Sequence, residues 1–197
     1  MKIVAIIQAR MGSTRLPGKV LKKIVGLPAI EILLARLSRS ELINEICVAT
    51  SHNIENDQLC NAIEKIGYRV IRGSETDVLR RFCDAADATS AEIIVRITGD
   101  CPVVDPKLVD KVIELYLESN VDYASNIDPP TFPDGLDVEV FTKATLDYTW
   151  NNASRSFDLE HVTPFMRSKN LFKRHNIFNP TDWSEIRASA IWPHGTC

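Results

Sequence analysis

Short apolar runs rich in β-branched residues recur along the first half of the chain and predict β-strands. They cover residues 3–7, 46–49, 69–71 and 93–97. The segments between them carry apolar residues at helical spacing, which predicts amphipathic helices over 28–39, 55–66, 77–88 and 106–119. Strands that alternate with helices indicate an α/β fold, in which helices cover both faces of a mostly parallel sheet.

The regular alternation fades after about residue 120. Asp128-Pro129-Pro130 and Pro133-Asp134-Gly135 are turn signals, and a strand-like segment follows over 136–141. We therefore expect a single domain over residues 1–197, with a substrate-binding or dimerisation lobe over about 120–180.

Composition and charge exclude several classes of protein. The 197 residues are 45% hydrophobic and 25% charged with a formal net charge of -3, which suits one globular core and argues against a broad nucleic-acid surface. No apolar run approaches the roughly 18 residues that span a bilayer, and the start MKIVAII predicts a first strand rather than a signal peptide. We expect a cytoplasmic protein with no membrane partner.

The five cysteines form no C-x-x-C pair, which disfavours a zinc site and a disulfide framework.

The loop after the first predicted strand, QARMGSTRLPGKVL, carries three cations, Arg10, Arg15 and Lys19. It does not fit a Walker loop, because five residues separate its glycines and Val20 follows the lysine, and it has no G-x-G-x-x-G pattern. Its cations suit a polyphosphate, to which backbone N–H groups around Gly12 and Ser13 would add a small anion nest. By composition alone, a solvated basic loop is an equal alternative.

The loop after the strand at 93–97 is the second chemically rich segment. Asp100 follows Gly99 at the predicted carboxyl end of this strand, which favours a magnesium ligand beside a triphosphate. Asp105 directly precedes Pro106 and is instead predicted to cap the helix that begins there.

The segment from Arg10 to Lys19, RMGSTRLPGK, resembles the signature loop R-x-x-S-x-R-L-P-x-K of cytidylyltransferases that make CMP-activated sugars, such as the 3-deoxy-manno-octulosonate and acylneuraminate enzymes. The fuller form IIQARMGSTRLPGKVL is closer to the spore-coat polysaccharide branch. The resemblance implies a Rossmann-like, three-layer fold of the nucleotide-diphospho-sugar transferase type. It also implies CTP and a sugar or sugar acid as substrates, Mg²⁺ as cofactor, and a homodimer.

The resemblance also implies roles for individual residues. Gly99-Asp100-Cys101-Pro102 fits the family's G-D-x-P segment, which makes Asp100 the metal ligand and a catalytic residue with Arg10 and Lys19, while Cys101 is expected to be structural. The residues expected to bind nucleotide are Gln8, Ala9, Arg10, Gly12, Ser13, Arg15, Lys19, Arg72, Ser74 and Arg80. The residues expected to bind the sugar are Asp134, Asp137, Glu139, Glu160 and His161.

Several of these residues have a simpler structural interpretation. Ser74 or Thr76 would serve as the N-cap of the following helix, and we expect Thr76 to do so. Asp137 and Glu139 would equally form the wet face of an edge strand. A lone histidine on a helix, such as His161, is more often structural than a ligand.

The end of the chain departs from the family pattern. Family members carry a second acidic metal ligand in a late R-x-T-V-D-x-P-E-D segment, whereas Ile191 stands at the position of that aspartate here. We therefore expect the chain to lack the family's C-terminal end. This departure raises one alternative, a nucleotide-binding protein or subunit with weak catalysis. A second alternative is a transferase that uses another nucleoside triphosphate, because no residue in the sequence visibly proves cytosine selection.

Overall fold

The computed structural model describes residues 1–13, 16–168 and 170–186, and within them seven strands form one sheet. The first four strands in spatial order run parallel, the fifth runs antiparallel to both of its neighbours, and the last two pair in parallel. The predicted mostly parallel sheet is therefore confirmed. With strands numbered along the chain, the spatial order is β5 (Arg69–Gly73), β4 (Glu45–Ser51), β1 (Ile3–Gln8), β6 (Ile93–Thr98), β8 (Glu139–Thr142), β7 (Tyr123–Ser125) and β9 (Arg174–Asn176). A separate hairpin pairs β2 (Lys23–Ile24) with β3 (Leu27–Pro28).

The four predicted helices are confirmed, with ends that shift by at most two residues. Short 3-10 turns cover Lys19–Leu21 and Ile54–Asn56, and the second of these delays the start of the helix predicted from residue 55. The α-helices are α1 (Ala29–Leu37), α2 (Asp57–Lys65), α3 (Val78–Thr89), α4 (Pro106–Glu118), α5 (Lys143–Asn152), α6 (Ser156–His161) and α7 (Pro164–Ser168).

The interior strand β1 is buried on both faces and divides the core into two layers. Ile3, Ala5 and Ile7 pack on the side of α1, α2 and α4, whereas Val4 and Ile6 pack on the side of α3, α5 and α7. Successive side chains of a strand point to opposite faces, so an unbroken apolar run is what a sheet covered on both faces requires. The predicted three-layer α/β arrangement is confirmed.

Two aspartates cap the helices that follow β5 and β6. Asp105 Oδ1 accepts a hydrogen bond from Lys107 N at 3.0 Å, which confirms the predicted N-cap of α4. The predicted N-cap of α3 is wrong. The helix begins at Val78, and its N-cap is Asp77, not Thr76. Asp77 Oδ1 accepts from Arg80 N at 2.7 Å.

The later part of the chain extends the same sheet. Strand β8 begins at Glu139, later than the predicted residue 136, because Asn126 holds the preceding segment by hydrogen bonds to Leu136 O and Val138 N, each 2.8 Å long. Since β8 lies between β6 and β7, the edge-strand interpretation of Glu139 is wrong, and its side chain is buried.

Across residues 1–13, 16–168 and 170–186, no helix is long and apolar enough to cross a bilayer. The cytoplasmic location stays a prediction.

Candidate active site

The loops after β1 and β6 meet at the carboxyl edge of the sheet. These two strands are neighbours, with Gln8 opposite Thr98, and Gly99 N donates to Gln8 O at 2.8 Å. A Cβ atom at Gly99 would lie 2.8 Å from Ala9 Cβ and 2.9 Å from Gln8 O, closer than packed atoms tolerate. Glycine at this position therefore permits the close approach that brings the two chemically rich loops together.

The loop after β1 folds around the carbonyl group of Met11. Ser13 N and Gly18 N both donate to Met11 O, at 2.8 and 3.0 Å. Gly18 adopts a left-handed conformation with φ of 66° and directly precedes the 3-10 turn that carries Lys19. Because the N–H group of Ser13 is already bonded inside the loop, it does not take part in the predicted anion nest in this conformation.

Lys19 and Asp100 form an ion pair between the two loops. Lys19 Nζ donates to Asp100 Oδ2, and the two side chains are 26% and 18% exposed. Burial alone would raise the pKa of Asp100, but the charge of Lys19 and hydrogen bonds from Lys19 and Thr98 hold that pKa below its ordinary value. Asp100 is therefore ionised at neutral pH and faces a cation.

These residues open into a cleft of about 720 Å³ between the sheet edge and the later part of the chain. Most of the residues predicted from the sequence to form the site line this cleft. They are Gln8, Ala9, Arg10, Gly12, Ser13, Lys19, Asp100, Asp134, Asp137, Glu160 and His161.

A buried ion pair lies under one wall of the cleft. Arg96 and Glu139 are opposite each other on β6 and β8, and the Arg96 guanidinium binds the Glu139 carboxylate. Tyr123 Oη also donates to Glu139 Oε1 at 2.6 Å, and Arg96 Nη2 donates to Gln8 Oε1 at 3.3 Å. Glu139 is only 1% exposed, so it supports the cleft-lining Arg96 from beneath and is not itself part of the cleft wall.

Asp137 differs from the other cleft carboxylates in its surroundings. Burial, followed by the nearby carboxylates of Glu139 and Asp134, raises its pKa from 3.8 to about 6. A carboxyl group with such a pKa takes up or releases a proton close to neutral pH.

Three residues predicted to bind nucleotide lie outside the cleft lining. Arg72 binds Asp57 Oδ1 at 2.6 Å and donates to backbone carbonyls of β4 and the turn that follows. Arg80 bonds to Asp84 and stacks over Trp150, with its guanidinium carbon 4.5 Å from the ring centroid. Ser74 Oγ accepts from Asp77 N. Arg15 and the tail with Ile191 lie outside the described residues.

Sequence reasoning missed several polar residues of the cleft. Arg96 had a recognisable signal, because a charged residue inside the apolar strand IIVRIT requires a buried partner. Thr98 ends the same strand, directly before Gly99 and Asp100. The others come from segments without a distinctive pattern, and the fold alone brings them to the cleft. These missed residues are Arg96, Thr98, Asn126, Thr163, Arg167, Ser184 and Glu185.

The fold and the cleft together define a class of protein. The sheet has a cationic loop after its first strand and an acidic loop after the neighbouring strand, at the carboxyl edge where open α/β sheets bind nucleotides. The family model described as cytidylyltransferase matches residues 4–189. The chain belongs to the cytidylyltransferase family and is a nucleotidyltransferase enzyme of that family.

Similar proteins agree with this assignment. The chain is 44% identical over 174 residues to an uncharacterised protein of Methanocaldococcus jannaschii, a match that covers 88% of this chain and 70% of that protein. It is 38% identical over 171 residues to the spore coat polysaccharide biosynthesis protein SpsF of Bacillus subtilis, covering 84% and 70%. Among solved structures, a cytidylyltransferase from Leptospira borgpetersenii superposes with a TM-score of 0.90 at 34% identity, covering 95% of this chain and 80% of that one.

Proposed function

We propose that this enzyme transfers the CMP group of CTP to a hydroxyl group of a sugar or sugar acid and releases pyrophosphate. The observation that carries the proposal is the shared cleft, which Arg10, Lys19 and Asp100 line together with Asp137 and His161. Its volume of about 720 Å³ lies within the roughly 300–1,000 Å³ of typical small-ligand pockets. Cations for a triphosphate and polar groups for a second substrate therefore lie in one space.

The reaction needs position and positive charge more than covalent chemistry from the protein. The acceptor oxygen forms a bond to the α-phosphorus of CTP while the bond to the pyrophosphate oxygen breaks. Arg10 and Lys19 would bind the β- and γ-phosphates and stabilise the charge that grows on them. Asp137 lines the same cleft, and its pKa of about 6 suits a group that accepts the proton of the acceptor hydroxyl.

Asp100 would hold the Mg²⁺ ion that the family implies. Its ionised carboxylate reaches the cleft and already faces a cation, Lys19. No group of three or more His, Cys, Asp or Glu residues within the described ranges forms a ready metal cage. Mg²⁺ usually takes one or two protein carboxylates and completes its shell with waters and substrate phosphates, so this donor set fits it. A bound Mg²⁺ would supply Lewis-acid polarisation of the phosphate and help to orient it.

The proposal includes a role in the synthesis of a surface polysaccharide or glycan and a homodimeric state. The role for which the Bacillus subtilis relative is named, spore coat polysaccharide biosynthesis, supports the first part. Exposed apolar side chains on the later part of the chain support the second, since Tyr148 packs edge-on against Phe172 and remains 46% exposed beside Leu171, which is 63% exposed. Light scattering after size-exclusion chromatography measures the oligomeric state.

A thermal-shift comparison of CTP, UTP, ATP and GTP with Mg²⁺ tests nucleotide choice. A ligand that binds only the native state raises the melting temperature, so CTP is expected to give the largest increase. A larger shift with another nucleotide would contradict cytidylyl transfer. Calorimetry with CTP, run beside pyrophosphate release with a panel of sugars and sugar acids, then tests turnover. CTP binding without release would favour a nucleotide-binding protein with weak catalysis.

A further inference from the structure

Glu75 binds the cleft arginine Arg10 from outside the cleft. Arg10 Nη1 donates to Glu75 Oε1 at 2.6 Å, and the side chains are 40% and 28% exposed. Arg10 lines the cleft, whereas Glu75 does not. This contact uses one edge of the guanidinium fork, which carries five N–H donors, and so leaves donors for a phosphate.

The turn after β4 fixes the position of Glu75. Asn53 Nδ2 donates to Glu75 Oε2 at 3.2 Å, and the buried Ser51 hydroxyl also bonds to the Glu75 carboxylate. Hydrogen bonds therefore reach Glu75 from a strand end and from the turn that follows it. A carboxylate held from several sides presents its remaining lone pairs to Arg10 in a fixed direction.

The same turn also holds the backbone of the phosphate loop. Asn56 is fully buried, and its Oδ1 atom accepts from Met11 N at 2.8 Å while its Nδ2 atom donates to Ser51 Oγ at 2.7 Å. The side chain of Arg10 and the backbone of the next residue thus depend on one anchor, the side chain of Ser51.

Charge strengthens the dependence of Arg10 on Glu75. The fully buried Arg81 lies close enough to both residues to feel their charges, and repulsion from Arg10 opposes its attraction to Glu75. Burial lowers the pKa of Arg81 to about 10, so it still carries a charge at neutral pH. Without Glu75, the repulsion between Arg10 and Arg81 would remain and a carboxylate that attracts both would be lost.

We propose that Glu75 is a positioning residue that holds the Arg10 guanidinium in the orientation in which it receives the nucleotide triphosphate. The inference rests on the proposed function, because it takes the triphosphate as the ligand of Arg10. The opposite role is also chemically reasonable, since a carboxylate on Arg10 would compete with phosphate for the same donors. The two roles predict opposite changes in nucleotide affinity when Glu75 is removed.

A double-mutant cycle on CTP affinity separates these roles. Calorimetry with CTP and Mg²⁺ is run on the wild type, Glu75→Ala, Glu75→Gln, Arg10→Ala and the double variant Glu75→Ala/Arg10→Ala. Loss of a charge-assisted hydrogen bond that orients Arg10 is expected to weaken CTP binding about 10-fold in Glu75→Ala. Glu75→Gln keeps an acceptor and is expected to stay within about 3-fold of the wild type. In the Arg10→Ala background, Glu75→Ala is expected to have no further effect.

Glu64→Ala is the matched control, because Glu64 is an exposed carboxylate on α2 and has no hydrogen bond or ion pair to Arg10. It removes the same charge and is expected to leave CTP affinity unchanged. Tighter CTP binding by Glu75→Ala, or an equal loss with and without Arg10, would overturn the positioning role.

Side-chain NMR tests the inference independently of CTP. Relaxation of the Arg10 Nε–H group in the free protein is expected to report a rigid side chain in the wild type and a mobile one in Glu75→Ala. An equally rigid Arg10 in that variant would overturn the positioning role even if CTP binds. If the wild type binds no CTP, but Arg10 is rigid in the wild type and mobile in Glu75→Ala, the proposed function alone is refuted.

Discussion

Lys19 and Asp100 form an ion pair that joins the loop after β1 to the loop after β6. The sequence placed them 81 positions apart, in two loops with separate predicted roles. In the structure each residue neutralises the other. Under the proposed function, nucleotide and metal binding would give both residues new partners, a phosphate for Lys19 and the cation for Asp100.

Lys19→Ala and Asp100→Asn are each expected to reduce turnover about 10²-fold or more, the usual effect of losing an electrostatic stabiliser of the transition state. Pyrophosphate release measured with CTP and an active acceptor tests both variants. Lys23→Ala is the control, since Lys23 is an exposed lysine on the nearby hairpin strand β2. Near-normal turnover by either cleft variant would remove that residue from the mechanism.

Gly99→Ala is expected to lower both stability and turnover. The new Cβ atom would lie 2.8 Å from Ala9 Cβ and 2.9 Å from a backbone oxygen, so the loop that carries Asp100 must move. Overpacking of this kind costs about 1–3 kcal/mol of unfolding free energy, which urea denaturation measures. Gly12→Ala is the comparison, because its Cβ atom would meet the flexible end of Glu55 and its loss of stability should be smaller. Equal losses in the two variants would contradict this explanation.

Glu139→Ala is expected to destabilise the fold by about 3–5 kcal/mol, because it leaves the Arg96 guanidinium buried without its carboxylate. Replacing both partners with apolar residues, as in Arg96→Met/Glu139→Leu, should recover much of the loss. Urea denaturation measures both variants. Glu114→Ala, at an exposed position on α4, serves as the control and should stay within about 0.5 kcal/mol of the wild type. A small loss in Glu139→Ala would show that water reaches the pair.

Asp137 is expected to make stability depend on pH between about 4 and 6. Its pKa rises from 3.8 to about 6 in the folded protein, so the native state binds more protons than the unfolded state within this window. Its contribution to stability therefore falls as the pH rises through the window. Asp137→Asn removes this titration, so its unfolding free energy relative to the wild type should increase from pH 4 to pH 7. Parallel pH profiles of the two proteins would show that Asp137 titrates normally.

Local patterns were sufficient for the parallel strands and the covering helices of the first half of the fold, but not for its β2–β3 hairpin. The apolar runs of β1, β4, β5 and β6 and the helical spacing of α1 to α4 each depend on short-range periodicity, which a sequence displays directly. The later strands β7 and β9 were missed, because each has three residues and is stabilised by its neighbours more than by its own composition.

The residues of the candidate site were likewise predicted only in part. Arg10, Lys19 and Asp100 lie in loops that follow predicted strands, so the rule that ligands bind at the carboxyl ends of strands located them. Arg72 and Glu139 carry the same kinds of charge, but the first is engaged by Asp57 and the second is buried under Arg96. Which charged side chain faces a cleft depends on partners far away in the chain, and periodicity does not encode them.

The sequence by itself determined the α/β class, the buried first strand and the presence of a cationic and an acidic loop, because each follows from residues within a few positions of one another. Only the tertiary structure decided that Lys19 faces Asp100, that Glu139 supports Arg96 and that Glu75 holds Arg10. Such contacts join residues 43 to 81 positions apart, and their geometry exists only after the parallel strands have aligned the loops at one edge of the sheet.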